Sequence, residues 1–250
     1  MANLIWDHTV HYVNDLEDAR QTFEKQGITA FRGGSHKQWG TYNVLSYFGL
    51  TYLEFLGVEN RQLAESITEP NQVVKDAVKC LPDHEGFSRV ALRTDNIEAI
   101  REQLIEHQID VSPIMEGKRY NAQNQLIEWK MMTIAGDFQG LPYPFVIEWL
   151  VTDQERYKQL REAGIISEHP LGDLSMSEAV FYVPDPKAMV DHWSMIFPIE
   201  KKNATCLTLE DKVFVFKQAT KAQLSELVIN SPETKLIEMN GATYRLRSTK

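Results

Sequence analysis

Two short segments each carry a glutamate among apolar neighbours: Tyr52-Leu53-Glu54-Phe55-Leu56 and Val146-Ile147-Glu148-Trp149-Leu150. A carboxylate in that setting is costly to bury without a cation or a hydrogen-bond donor. The same order (apolar, apolar, glutamate, aromatic, leucine) occurs twice, so chance is a weak account of it. His8 lies in a third such segment, where Leu4, Trp6, His8, Val10 and Tyr12 alternate onto one face. One imidazole and two carboxylates suit a divalent metal such as Zn²⁺, Ni²⁺, Mn²⁺ or Fe²⁺, with positions left open for substrate. They equally suit general acid–base work. His8, Glu54 and Glu148 are therefore the candidate catalytic residues and the candidate metal ligands.

Other side chains fit a binding role. His36, in GGSHKQWGT, reads as lining a pocket mouth, where it would hold an anionic group or move a proton, or as an exposed loop histidine. Asn43 reads as a hydrogen-bond partner of a ligand or as a tie for its loop. Trp39, with Trp6, Tyr12 and Tyr52, reads as pocket wall or plain core. His11 falls on the strand face opposite His8 and reads as structural or exposed.

The elements that position these residues follow from an internal repeat. Shifted by about 81 positions, the chain from His8 to Ile28 falls without a gap on Arg89 to Ile109. HTVHYV and RVALRT read as strands. Asp15 in the first copy and Asp95–Asn96 in the second supply helix caps, and Leu16, Ala19 and Phe23 match Ile97, Ile100 and Leu104 on one helical face. Two further strands precede each closing glutamate strand. They are placed near Ile28–Arg32 and Thr41–Phe48 in the first copy, and near Val111–Glu116 and Leu126–Ala135 in the second, with a turn over Asn121–Gln125. Each copy reads β-α-β-β-β, over 1–57 and 87–150, with 58–86 as a partly helical connection. Residues 151–175 read as a linker with a helix, and 176–250 as a third, shorter module. There SEAVFYV is a strand, Asp185–Phe197 a helix, and Asn240–Gly241 the turn of a hairpin. The fold class is α+β.

Composition narrows the function. A net charge of −9 with no long basic run argues against nucleic acid. The N-terminal segment has no secretory pattern, and no apolar run approaches the ~20 residues of a membrane-spanning helix. Two widely spaced cysteines form no disulfide scaffold. The expected setting is the cytoplasm. No nucleophile elbow, phosphate loop or dinucleotide fingerprint occurs, so no nucleotide cofactor is expected.

DHTVHYVNDLEDARQTF, GGSHKQWGTYN and TYLEFLGV resemble the glyoxalase-like branch of the vicinal oxygen chelate superfamily, and the second module and HPLG…VFYVPDP extend the likeness over most of residues 1–200. The resemblance implies paired modules curled into a cup around a metal, with ligands from first and last strands; His8, Glu54 and Glu148 match those positions. The remaining position holds Arg89, whose guanidinium has no lone pair to give. Two readings stay open. Either the metal is lost and the cup holds an organic anion or other small ligand, or three ligands bind metal while Arg89 orients the substrate. The resemblance accordingly implies a glyoxalase-like small-molecule enzyme of lyase, isomerase or dioxygenase type. The rival is a small-molecule sequestering protein of bleomycin-resistance type without catalysis. A homodimer is compatible with either.

Overall fold

The structure is a computed structural model that describes residues 3–120 and 126–249. The turn expected over Asn121–Gln125 lies outside the described residues. The first module runs β1 (Ile5–Tyr12), α1 (Leu16–Lys25), β2 (Phe31–His36), β3 (Thr41–Phe48) and β4 (Thr51–Val58). Asp15 caps α1 by accepting from the amides of Glu17 and Asp18, and Leu16, Ala19 and Phe23 form the buried stripe. Strand β2 lies further along than alternation alone places it. A bulge between Arg32 and Gly34 carries the strand through the glycine pair, so His36 is a strand residue rather than a loop residue.

The connection forms α2 (Arg61–Ser66) and α3 (Gln72–Cys80). The second module runs β5 (Gly86–Arg93), α4 (Ile97–Glu106), β6 (Met115–Tyr120) and β7 (Leu126–Met132), then a small hairpin of β8 (Asp137–Phe138) and β9 (Leu141–Pro142), then β10 (Phe145–Trp149). Val111, expected within a strand, makes only an isolated bridge to Ile134. Helix α5 (Asp153–Glu162) follows, capped by Thr152.

Among the described residues, the two modules form one eight-stranded sheet in the order β2-β3-β4-β1-β5-β10-β7-β6. Each first strand lies parallel to the last strand of its own module, β1 to β4 and β5 to β10. The modules join where β1 meets β5 antiparallel. The sheet curls until its two edges nearly meet. There Arg119 Nη1 on β6 donates to the Gly33 carbonyl on β2 at 2.6 Å, and Gln38 donates to the Glu116 carbonyl at 3.1 Å. The result is a nearly closed cup whose inner wall is set by side-chain alternation.

Downstream come β11 (Ser175–Val183), α6 (Pro186–Ile196), β12 (Glu200–Asn203), β13 (Cys206–Leu209) and β14 (Lys212–Gln218), followed by β15 (Gln223–Ser231), β16 (Lys235–Met239) and β17 (Ala242–Ser248). They form a seven-stranded sheet in the order β12-β13-β14-β11-β15-β17-β16. The pairing repeats that of the first sheet: β11 parallel to β14, β11 antiparallel to β15, β15 parallel to β17. Residues 175–218 are thus a complete β-α-β-β-β unit, and 223–248 a reduced unit with no helix. The strand over Gln223–Ser231, which no sequence pattern had marked, makes this region more than a single shortened module.

The two sheets pack through the outer face of the first. Trp6 meets Phe214 at 5.4 Å between ring centroids, and Phe23 meets Tyr244 at 5.0 Å. His11 belongs to this seam. Its Nδ1 lies 2.6 Å from the Tyr244 hydroxyl and its Nε2 2.8 Å from the Asn240 carbonyl. Burial pushes its pKa down to about 4, so it is a neutral structural histidine. No helix among the described residues is long and apolar enough to cross a membrane.

Candidate active site

The inner face of the cup collects His8 from β1, His36 from β2, Asn43 from β3, Glu54 from β4, Arg119 from β6 and Trp129 from β7, with Trp39 beside them. All of them are buried. They surround a cavity of about 50 Å³, closed at one end by Asn71, Val73 and Val74 of the connection. An adjoining chamber of about 300 Å³ lies between the sheet and α5, and Leu45, Arg119 and Trp149 wall both spaces.

His8 is fixed on several sides. Its ring stacks on Tyr52 at 4.4 Å and meets the edge of Phe145 at 5.3 Å. Its Nδ1 lies 2.7 Å from Asp7 Oδ1, and its Nε2 lies 3.6 Å from Glu54 Oε2. Asp7 is fully buried, and its other oxygen accepts from Arg93 at 3.1 Å, Arg156 at 3.3 Å and the Trp149 indole at 3.0 Å. Burial alone would raise the Asp7 pKa. The Arg156 charge, the hydrogen bond and charge of His8, and the Arg93 charge outweigh it and hold the carboxyl well below the usual range. An ionised carboxylate can only accept, so His8 Nδ1 carries a proton, and Nε2 is the ring nitrogen that faces Glu54.

Asn43 orients Glu54 by donating to its Oε1 at 2.6 Å. The same amide nitrogen lies 3.5 Å from His36 Nε2, and His36 Nδ1 lies 3.0 Å from the Thr41 hydroxyl. Burial, reinforced by Arg119 and His8 and opposed by Glu54, lowers the His36 pKa to about 4. His36 is therefore a neutral partner here, neither an exposed loop residue nor a fixed cation. Gly33 makes room for this arrangement, because a Cβ there would stand 2.2 Å from Asn43 Oδ1 and 2.8 Å from Leu45.

Two expected site residues lie elsewhere. On β4 the inner positions are Tyr52, Glu54 and Leu56; on β10 they are Phe145, Ile147 and Trp149. Glu148 thus falls on the outer face, where its Oε2 accepts from the Ile97 amide at 2.7 Å and its Oε1 lies 3.4 Å from Lys130. It caps α4. The sequence match between the two closing strands is one residue out of step with their faces, and a one-residue slip exchanges inside for outside. Arg89 is also outside the cavity. Ala91 faces His8 across the central strand pair. Arg89 pairs with Asp76 of α3 at 2.9 Å and donates to the carbonyls of Tyr143 and Ile134.

A divalent metal would need converging donors. Of the three proposed ligands only His8 and Glu54 converge, Glu54 is already bonded to the Asn43 amide, and His8 Nδ1 is committed to Asp7. Among the described residues no group of three His, Cys, Asp or Glu side chains is placed to hold a metal ion. The arrangement does not fit the expected three-ligand centre. What sequence reasoning missed is Asp7, together with Arg93, Arg156 and Arg119. Asp7 was detectable, since an acid in the apolar run Leu4–Val10 raises the same burial argument that marked Glu54.

The profile of the glyoxalase-like domain family matches residues 6–197. A hypothetical protein from Staphylococcus aureus is similar over 98% of this chain and 99% of its own, at 24% identity and a TM-score of 0.82. A variant of 4-hydroxymandelate synthase from Streptomyces coelicolor is similar over 93% of this chain and 72% of its own, at 7% identity and a TM-score of 0.57. Methylmalonyl-CoA epimerase from Mycobacterium tuberculosis covers 61% of this chain at 13% identity and a TM-score of 0.43. These structural likenesses concern the fold. No curated protein matches the sequence.

Proposed function

The chain belongs to the glyoxalase-like domain family, and on that premise we propose that it is a small-molecule enzyme of isomerase or lyase type whose chemistry is proton transfer. The Asp7–His8–Glu54 array at the floor of an enclosed cup carries this reading. His8 Nε2 takes a proton from a carbon next to a substrate carbonyl; the C–H bond breaks and its electron pair moves toward the carbonyl oxygen. Asp7 on one side and Glu54 on the other stabilise the imidazolium that forms. The proton then returns from Nε2 to a different position or face of the carbon skeleton, or the enolate expels a leaving group. Positioned general acid–base catalysis of this kind contributes typically ~10²–10⁴-fold. No step is routed through a metal, because the proposed third ligand, Glu148, faces α4. The setting that composition supports is cytoplasmic, with the paired modules 1–150 supplying the proton-transfer residues and α5 closing over them with Arg156.

The apolar walls favour one rival. Trp39, Trp129 and Trp149 would equally suit a protein that sequesters a small molecule. Solvent-deuterium incorporation separates the two. A panel of α-hydroxy ketones, α-keto acids and acyl thioesters is incubated in D₂O with wild type and with His8→Gln, and exchange is read by NMR. Exchange with at least one compound that falls at least ~100-fold in the variant supports the enzyme. Compounds that quench tryptophan fluorescence but never exchange would replace it with the sequestering reading.

A further inference from the structure

The chamber beside α5 is walled by Phe31, Leu45, Tyr47, Trp149, Leu160 and Ile165, an apolar surface. Two buried guanidiniums interrupt it. Arg156, on α5, lies over the Trp149 ring at 4.0 Å and reaches Asp7 Oδ2 with Nη1 at 3.3 Å. Its buried Nη2 has no hydrogen-bond partner among the described residues. Asp7 does not satisfy it alone, since that carboxylate also serves Arg93, His8 and Trp149. Arg119 enters from β6 and spends Nη1 on the Gly33 carbonyl. The buried Tyr47 hydroxyl is hydrogen-bonded to the Arg156 side chain and feels the charge of both cations, which lower a pKa that burial raises. Glu128, the carboxylate on the same rim, is exposed. Buried cations are normally paired or fully hydrogen-bonded, so this chamber offers the unpartnered Nη2 of Arg156, with the charge of Arg119 beside it, on apolar walls. Guanidinium is also the donor best shaped to grip a planar carboxylate.

We propose that this chamber is an anion subsite in which Arg156 and Arg119 hold the carboxylate of an apolar carboxylic acid, while the rest of that molecule passes Trp149 toward His8. The assignment rests on His8 marking the reacting end of the cup. It moves the role of anion holder from Arg89 and His36 to residues that the sequence did not single out. A phosphoryl group shares the recognition chemistry; the small, mainly apolar space favours the carboxylate.

The test uses the intact protein and probes of fixed shape. Phenylacetate, hexanoate, phenylphosphonate and the neutral phenylacetamide are titrated calorimetrically. The indole N–H signals of the 5 tryptophans are followed by NMR, with Trp149 assigned through Trp149→Phe. At least one carboxylate should bind tenfold or more tightly than phenylacetamide, and the Trp149 signal should move while those of Trp6, on the outer face of the cup, and Trp193, on α6, stay. Arg119→Gln should remove that tenfold preference. Equal affinity for charged and neutral probes overturns the subsite; because that comparison uses wild type, it stands even if the variant misfolds. Tighter binding of phenylphosphonate than of either carboxylate overturns the carboxylate assignment. Carboxylate binding that persists in His8→Gln, in a protein that exchanges no deuterium, leaves the subsite standing and sinks the catalytic reading. Exchange of neutral carbonyl compounds without any carboxylate preference does the reverse.

Discussion

Asp7 and His8 are consecutive residues of one strand, yet Asp7 Oδ1 accepts a hydrogen bond from His8 Nδ1 at 2.7 Å. Consecutive strand residues ordinarily point to opposite faces. Here the pairing of β1 with β5 shifts register between Trp6 and His8, and the bulge turns Asp7 to lie beside the imidazole. The carboxylate is then clamped by Arg93 and Arg156, which holds the pair in one geometry.

Replacing Asp7 by Asn should be costly twice over. It leaves two buried guanidiniums without their shared charge, which breaks a buried ion pair at a cost of ~3–5 kcal/mol. It also frees the His8 tautomer and should lower deuterium exchange. The native Asp7 pKa lies below its unfolded value. Its contribution is therefore complete above the unfolded pKa of about 4 and is lost as pH falls below that value toward the native one. Urea unfolding between pH 6 and pH 3 should show wild type losing stability at the acid end, with Asp7→Asn less stable at pH 6 and flatter below pH 4. An equally steep acid decline in the variant would remove Asp7 from the account.

Two fully buried histidines should make the protein sensitive to milder acid. His11 and His36 have native pKa values of about 4 against an ordinary value of 6.5. Between those values the unfolded chain binds protons that the native fold refuses, so stability falls as pH drops from 6.5 toward 4. Each group accounts for about 3 kcal/mol over that window at ~1.4 kcal/mol per pH unit. His36→Gln keeps a hydrogen-bonding side chain but cannot titrate. Its midpoint in urea should fall less than that of wild type between pH 7 and pH 5, and an identical fall would contradict the assignment.

Glu54 and Glu148 should separate cleanly in function. Glu54→Gln removes the charge beside His8 Nε2 and should cut proton exchange by ~100-fold or more. Glu148→Ala removes the acceptor for the Ile97 amide. It should cost about 1 kcal/mol, as the loss of a helix cap does, with exchange and ligand affinity unchanged. Loss of exchange in the Glu148 variant at full stability would return that residue to the site.

Gly33→Ala should damage the cup without touching a titratable group. The new methyl would meet Asn43 Oδ1 and Leu45 inside a closed wall, and overpacking of that kind costs ~1–3 kcal/mol. Asn43 must move, releasing Glu54. Thermal unfolding should shift down, and exchange should drop further than stability alone explains. A variant with wild-type exchange would show that Asn43 does not orient Glu54.

Local patterns in the sequence were enough to read the repeated modules, their helix caps and the buried helical stripes. These depend on residues a few positions apart, whose periodicity is written into the chain. His8, His36, Asn43 and Glu54 were also marked as candidates, and they line one cavity. The alternation expected along β1 fails at its bulge, which leaves Leu4 and Trp6 on the outer face while His8, Val10 and Tyr12 keep their shared side.

The tertiary structure decided the rest. Which face a strand residue occupies depends on register against a strand far away in sequence, so the likeness of the two closing strands put Glu148 beside Glu54 when β10 turns it toward α4. The bulge that joins Asp7 to His8 arises only where β1 meets β5. Arg89 found Asp76 on a connecting helix, and Arg156 came from α5, a helix that the sequence marked without giving it a part in the site, to sit on Trp149. Periodicity fixes elements, whereas long-range hydrogen-bond register and the search of each buried charge for a partner fix the site.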